Sequence, residues 1–169
     1  MRLALATCTN LPGWEKDDIP FQEAILALGG TYECVPWDDP DAPWADFDAC
    51  VVRTTWDYME RQTLFVQWAH SVSTQTQLFN DARVIEWNTH KRYLQDLNGL
   101  GVPIAPSVWL EQDTRANLAD IMDEHGWHKG FLKPQVGASA RETLRFDRQG
   151  CSEAQMFLDR VLSQESMIL

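Results

Sequence analysis

Lys133 stands inside the apolar run "GFLKP", next to Leu132 and two residues from Phe131. Large neighbours on a strand cover at least the aliphatic stem of such a lysine. Burying its ammonium without a partner would cost several kcal/mol, so the position makes chemical sense if an anion meets it. A lysine snorkelling from an edge strand satisfies the same pattern. The adjoining "VGASAR" offers Gly137, Ala138, Ser139 and Ala140, small enough for backbone N–H groups to approach an anion, and Arg141 adds a charge. Hairpin tips are also small and polar for turn reasons alone. Lys91 falls in the first turn of an expected helix, where the macrodipole disfavours a cation by about 0.3–1 kcal/mol and an anion would reverse the sign. A screened surface lysine tolerates the same position.

A second group lies in "VVRTTWDY", where Arg53, Thr54, Thr55, Trp56, Asp57 and Tyr58 follow a strand. Donors, a carboxylate and two aromatics in six positions suit a small amino-acid-like substrate carrying a carboxylate or an amine. The structural alternative is a helix capped by Thr55 or Asp57, with Trp56 in the core. Cys8, Cys34, Cys50 and Cys151 are widely spaced without C-x-x-C pairs, and the four histidines show no ligand spacing. The thiols read as reduced, mostly buried small hydrophobes; Cys8 could serve as a nucleophile, but no base is implied near it.

The elements that must position these residues belong to a chain of 169 residues, long enough for one large core or two small ones. A net charge of −11, from 14 basic and 25 acidic groups, argues against nucleic acid, so any phosphate must be held by a local cluster. No apolar run reaches the roughly 18 residues of a membrane span, and "MRLALATCTN" is too short for a signal peptide, so a cytoplasmic location is expected.

"RLALATC" reads as a strand covered on both faces. A helix with Phe21, Ile25 and Leu28 on one face follows, with Pro20 in its first turn and Gly29 and Gly30 at its end. "TYECVPW" and "ACVVR" are the next strands, then a helix with a stripe of Leu64, Phe65, Trp68 and Val72, and a short strand "QLFN". This alternation predicts parallel strands with ligands at their carboxyl ends, and a first domain over residues 1–85. In the second part, residues 86–169, Asn88 is expected to cap a helix carrying Leu94 and Leu97. "APSVWLE" is a strand, residues 114–125 a helix, and "GFLKP" and "ETLRFD" an antiparallel hairpin. Ser152 and Gln155 form a capping box for the last helix. The closing "SMIL" reads as an unprotected sheet edge, through which a second copy could pair to give a homodimer.

Together, "CTNLPGWEKDD", "PWDDPDAPWADFDACVVRTTWDY", "EWNTHKRYLQDL" and "FLKPQVGASARETLRF" resemble the ATP-grasp proteins of the glutathione-synthetase-like group, and within it the cyclo-ligase-like proteins of D-cycloserine biosynthesis. The resemblance implies an α/β fold: a parallel-sheet domain that precedes the grasp, followed by the first lobe of an α+β ATP-grasp domain, truncated. It further implies that Lys91 and Lys133 contact ATP phosphates, that the loop Gly137, Ala138, Ser139, Ala140 and Arg141 folds over them, and that the first domain shapes the acceptor site. Relatives activate a carboxylate as an acyl phosphate, which an amine or similar nucleophile then attacks. They also continue past "SMIL" into an adenine-holding hinge and a lobe carrying the Mg²⁺ ligands, so the metal is expected in the missing part and no residue here is assigned to it. Threonine stands at position 54 where serine is expected. The expectation is the amino-terminal part of an ATP-dependent carboxylate–amine ligase or cyclo-ligase, inactive by itself; the alternative is a non-catalytic binding or regulatory module of the same ancestry.

Overall fold

The strand β1 (Arg2–Thr7) carries five consecutive buried residues, Leu3 to Thr7, because the sheet around it is covered on both faces. The small Ala4 and Ala6 leave room on one face for Trp44, Phe47 and Val72, whereas Leu3 and Leu5 meet Ile25 and Ala49 on the other. This computed structural model describes residues 1–11 and 16–169; positions 12–15 of "CTNLPGWEKDD" lie outside the described residues. Two units divide the chain, Met1–Thr89 and His90–Leu169.

In the first unit, β1, β2 (Thr31–Pro36), β3 (Ala49–Thr54) and β4 (Gln77–Phe79) form a parallel sheet in the order β2-β1-β3-β4. The chain steps from β1 to one side and then returns to the other, so the order reverses between β1 and β3. The carboxyl ends at such a reversal are where open α/β sheets bind ligands. α1 (Ile19–Ala27) buries Ile25, but Leu28 lies beyond its last turn and is exposed, since Gly29 turns the chain at φ 74°. α2 (Gln62–Ser73) buries Phe65, Ala69 and Val72, with Trp68 packed beside them; Leu64, expected in the stripe, sits off this face and is exposed. Several tryptophans serve this core: Trp68 stacks on Phe65 at 5.2 Å and meets Trp37 and Trp44 edge-on at 6.1 and 5.5 Å.

The helix expected to start at Asn88 is two helices. α3 (Ala82–Asn88) is capped by Asp81, whose carboxylate accepts from the Arg83 N–H at 2.8 Å, and Asn88 is its last residue. α4 (Tyr93–Gly99) follows a turn that contains Lys91, and the chain is diverted there because the Lys91 N–H donates to the Gln135 carbonyl at 2.8 Å.

In the second unit, β5 (Trp109–Leu110), β6 (Lys129–Pro134), β7 (Leu144–Asp147) and β8 (Met167–Ile168) form an antiparallel sheet in the order β5-β8-β6-β7. α5 (Leu118–Glu124) and α6 (Cys151–Leu162) contribute to the core under it, built from Leu118, Leu132, Leu158, Val161 and Met167. The expected bare edge at "SMIL" is corrected here: β8 pairs with β5 on one side and β6 on the other, and Met167, Ile168 and Leu169 are buried. The premise for a homodimer through an open strand is therefore gone. β6 is internal too, so Lys133 is not an edge-strand lysine. The expected capping box is also replaced, because α6 begins at Cys151 and Ser152 lies inside it. Gln155 instead ties two helices together: its Oε1 accepts from the Leu118 N–H at 2.8 Å and its Nε2 donates to the Ala116 carbonyl at 2.8 Å.

Candidate functional site

Along β6 the side chains alternate, so Leu132 and Pro134 turn into the helix-covered core while Lys129, Phe131 and Lys133 share the opposite face. That face borders a cavity of about 500 Å³. Trp127, Phe131, Phe146 and Ile168 supply apolar lining, and Lys129, Lys133 and Arg145 supply the charged side chains; no aspartate or glutamate contributes. Arg145 lies over the Phe131 ring, 5.4 Å from its centroid. Gly130 is required by close approach here, because an added Cβ would stand 2.5 Å from the Phe146 ring and 2.9 Å from Leu169.

Lys91 reaches the same region from the turn before α4. Its Nζ donates to the Gly137 carbonyl at 3.0 Å, fixing the start of the loop that joins β6 to β7. Burial, then the Lys133 charge, pulls the Lys91 ammonium down to about 8; Glu165 opposes the shift and Arg141 adds to it. The charges of Lys91 and Lys133 therefore repel one another. The loop carries Ser139 and Ala140 in the left-handed region, at φ 52° and 56°, followed by Glu142 at 46°. Arg141 donates twice to Glu165, at 2.8 and 2.7 Å. Lys91, Lys133 and Arg141, which the residue types alone left apart and the resemblance assigned to one site, act on one another electrostatically, and Lys91 also bonds Gly137, with Ala138, Ser139 and Ala140 on the same loop.

The six residues after β3 make a different arrangement. The Thr7 and Thr54 hydroxyls share a buried hydrogen bond of 2.7 Å at the reversal point, where a register shift sets the two threonines opposite each other. Arg53 pairs with buried Asp18 and lies over the Phe21 ring at 5.1 Å. Thr55 is buried, and its carbonyl accepts from the Tyr58 N–H at 3.2 Å. Tyr58 packs on Phe65, with ring centroids 5.5 Å apart. Asp57 accepts from the Trp37 indole N–H at 2.8 Å and pairs with Arg61 at 3.1 Å, and neither Asp57 nor Thr55 caps α2 through its side chain. Trp56 is 45% exposed, so it is not a core residue.

Sequence reasoning missed the partners of this cluster. Arg61 bridges Asp57 and Asp38, 2.8 Å from the latter, and Thr9 donates to Asp38 at 3.1 Å. Burial works against the Asp38 carboxylate, but these hydrogen bonds and the Arg61 charge outweigh it and hold the group below its ordinary range. The i,i+4 spacing of Asp57 and Arg61 was a signal that could have been used; Asp38, on a different strand end, left none. The cysteines are free, with Cys8 and Cys50 buried, Cys151 half-buried and Cys34 exposed. Burial pushes the Cys50 thiol up to about 12.

Residues 3–80 match the family described as "D-cycloserine synthetase DcsG, N-terminal domain". The cycloserine biosynthesis protein DcsG of Streptomyces lavendulae is 31% identical over 171 residues, which cover 99% of this chain and 57% of that protein. The crystal structure of D-cycloserine synthetase DcsG superposes with a TM-score of 0.86 at 29% identity, over 99% of this chain and 58% of that one. The chain resembles the amino-terminal half of ATP-grasp proteins. Two more distant structures show the same fold: a RimK domain ATP-grasp protein from Sphaerobacter thermophilus (TM-score 0.72, 18% identity, 99% and 63% covered) and the D-alanine–D-alanine ligase of Bacillus anthracis (0.68, 15%, 99% and 56%). The chain spans a little over half the length of these relatives. Among its described residues no group of three or more His, Cys, Asp or Glu could hold a metal ion. None of their helices is long and apolar enough to cross a membrane.

Proposed function

We propose that this chain is the amino-terminal part of an ATP-dependent carboxylate–amine ligase or cyclo-ligase acting through an acyl phosphate. Residues 90–169 supply the first lobe of its nucleotide site. The observation that carries this reading is the continuity of an apolar cavity with a cation cluster: Lys133 lines the cavity and is coupled to Lys91, whose Nζ anchors the small-residue loop. An aromatic base fits the apolar slot, and polyphosphate fits Lys91, Lys133, Arg141 and the backbone of residues 137–140. Bound ATP would supply a transferable phosphoryl group; the chain's own part is to offset phosphate charge and to screen the site from water. Arg53, Thr54, Thr55, Trp56, Asp57 and Tyr58, at the carboxyl end of β3, contribute to binding the amino-acid-like substrate, with Arg53 and Trp56 the exposed contacts. DcsG's role in cycloserine biosynthesis supports a small amino-acid-derived substrate.

By itself the 169-residue chain should bind ATP weakly, with a Kd of about 1 mM or above, equivalent to roughly −4 kcal/mol. Titration followed by NMR should shift resonances of residues 130–141, and Lys133→Ala should abolish those shifts. Phosphate release against a panel of amino acids and ureido-amino acids should require the protein extended by its carboxyl-terminal lobe. Shifts that survive both Lys133→Ala and Lys91→Ala would remove the nucleotide reading, and full turnover by the 169-residue chain would remove the fragment reading.

A further inference from the structure

The loop between β6 and β7 is fastened at three points. Its start is held by the Lys91 Nζ on the Gly137 carbonyl. Arg141 forms a bidentate pair with Glu165, and the next residue, Glu142, forms one with Arg160 at 3.1 and 2.8 Å. The two pairs have opposite polarity: the loop presents a cation then an anion, while α6 and the residues after it present Arg160 and Glu165. Bidentate pairing fixes geometry as well as charge. The Arg160 hydrogen bonds hold the Glu142 carboxyl below its ordinary range.

Glu165 differs from Glu142 in what else it faces. Its charge also acts on Lys91, whose other charged neighbours are Lys133 and Arg141. It is therefore the one carboxylate among the described residues coupled to Lys91 in this cluster, and it occupies Arg141 in the two-pronged manner a phosphate would. The Glu165 N–H donates to the Val161 carbonyl at 3.0 Å at the end of α6, so its backbone stays in place when the side chain lets go. We infer that Glu165 is an internal counter-anion of this site: its carboxylate holds Arg141 and the loop while no ligand is bound, and an incoming polyphosphate must displace it. The inference rests on the nucleotide reading and adds to it a residue that sets the affinity and positions Arg141.

The test compares wild type, Glu165→Gln and Glu142→Gln in the full chain, with inorganic tripolyphosphate, ATP and adenosine as probes at low ionic strength. Removing the competitor should tighten tripolyphosphate and ATP binding about 5- to 10-fold in Glu165→Gln, a change of about 1–1.4 kcal/mol. Adenosine, which carries no phosphate, should bind as in wild type. Glu142→Gln opens the other pair, leaves the Arg141–Glu165 hydrogen bonds in place and should change tripolyphosphate affinity less than twofold. A second readout needs no ligand: the NMR titration midpoint of Lys91 should fall in Glu165→Gln. Phosphate binding that is unchanged or weakened in Glu165→Gln would overturn the inference, as would a fixed Lys91 midpoint. If wild-type ATP binding depends on Lys133 while Glu165→Gln has no effect, the nucleotide reading survives and the counter-anion does not. If tripolyphosphate binds none of the three proteins, both fall.

Discussion

Lys91 is a cation held among cations, and the consequence can be read against pH. Its folded pKa, about 8, lies below the 10.5 of an ordinary lysine, so between these values the unfolded chain binds more protons than the folded one. The penalty is complete below about 8 and is relieved as pH rises toward 10.5. Lys91→Met should therefore stabilise the unliganded chain at pH 7 by on the order of 1–2 kcal/mol, after discounting for solvent screening and the lost bond to Gly137. Urea unfolding at several pH values should show the gain disappearing by pH 10.5. Under the nucleotide reading, phosphate favours the charged amine, so ATP affinity should fall as pH passes 8 and binding near that pH should take up a proton. Calorimetry in two buffers of different ionisation enthalpy measures that uptake. At this scale the sequence was informative about residue type: a lysine flanked by Phe131 and Leu132 was already anomalous. Glu165, which acts on Lys91, and Arg145, which lines the cavity beside Lys133, carried no comparable signal, since ordinary spacing after a helix and on a strand gives no hint of what they face.

Elements set the shape of the cavity. Gly130 lets the Phe146 ring lie against β6, and the nearest atoms to an added Cβ are the far edge of that ring. Gly130→Ala should therefore displace this ring, which lines the cavity, weakening adenosine and ATP binding at least 10-fold, while tripolyphosphate binding stays within twofold. Competition titrations with the three probes distinguish base from phosphate effects. Gln155 acts between elements instead: Gln155→Ala strands the first N–H of α5 and should lower unfolding free energy by about 1–3 kcal/mol in denaturant melts, with little effect on ligand affinity. Strands with continuous apolar runs, β1 above all, were legible because burial on both faces demands that composition. The fate of "SMIL" was not, because an apolar terminal strand looks the same whether it ends a sheet or fills its middle. Likewise a Ser and a Gln three residues apart match a capping box, yet tertiary packing gave Gln155 a partner on another helix.

Across the whole molecule, charge is unevenly divided. Residues 1–89 hold five Lys and Arg against fourteen Asp and Glu, a net −9, while residues 90–169 hold nine against eleven, a net −2. Under the nucleotide reading the phosphates would lie in the unit that repels anions least, and the acidic unit would suit a substrate bearing an amine. Self-repulsion in the first unit should be screened by salt. Raising NaCl from about 0.05 to 0.5 M, spanning Debye lengths of roughly 14 to 4 Å, should increase amide-exchange protection in β1 and β3 more than in β6 and β8. Equal changes in both sheets would count against this account.

The sequence alone determined the strand and helix alternation, the parallel first sheet, the hairpin around Lys133 and the family resemblance, because these depend on local periodicity, turn residues and motif order. Tertiary structure decided that β8 is internal, that the expected helix breaks between Asn88 and Tyr93, and that Glu165 joins the electrostatic neighbourhood of Lys91 and Arg141. The reason is physical: hydrogen bonds and charges separated by tens of residues leave no periodic trace. Their energies arise only when the fold brings the groups within a few ångströms.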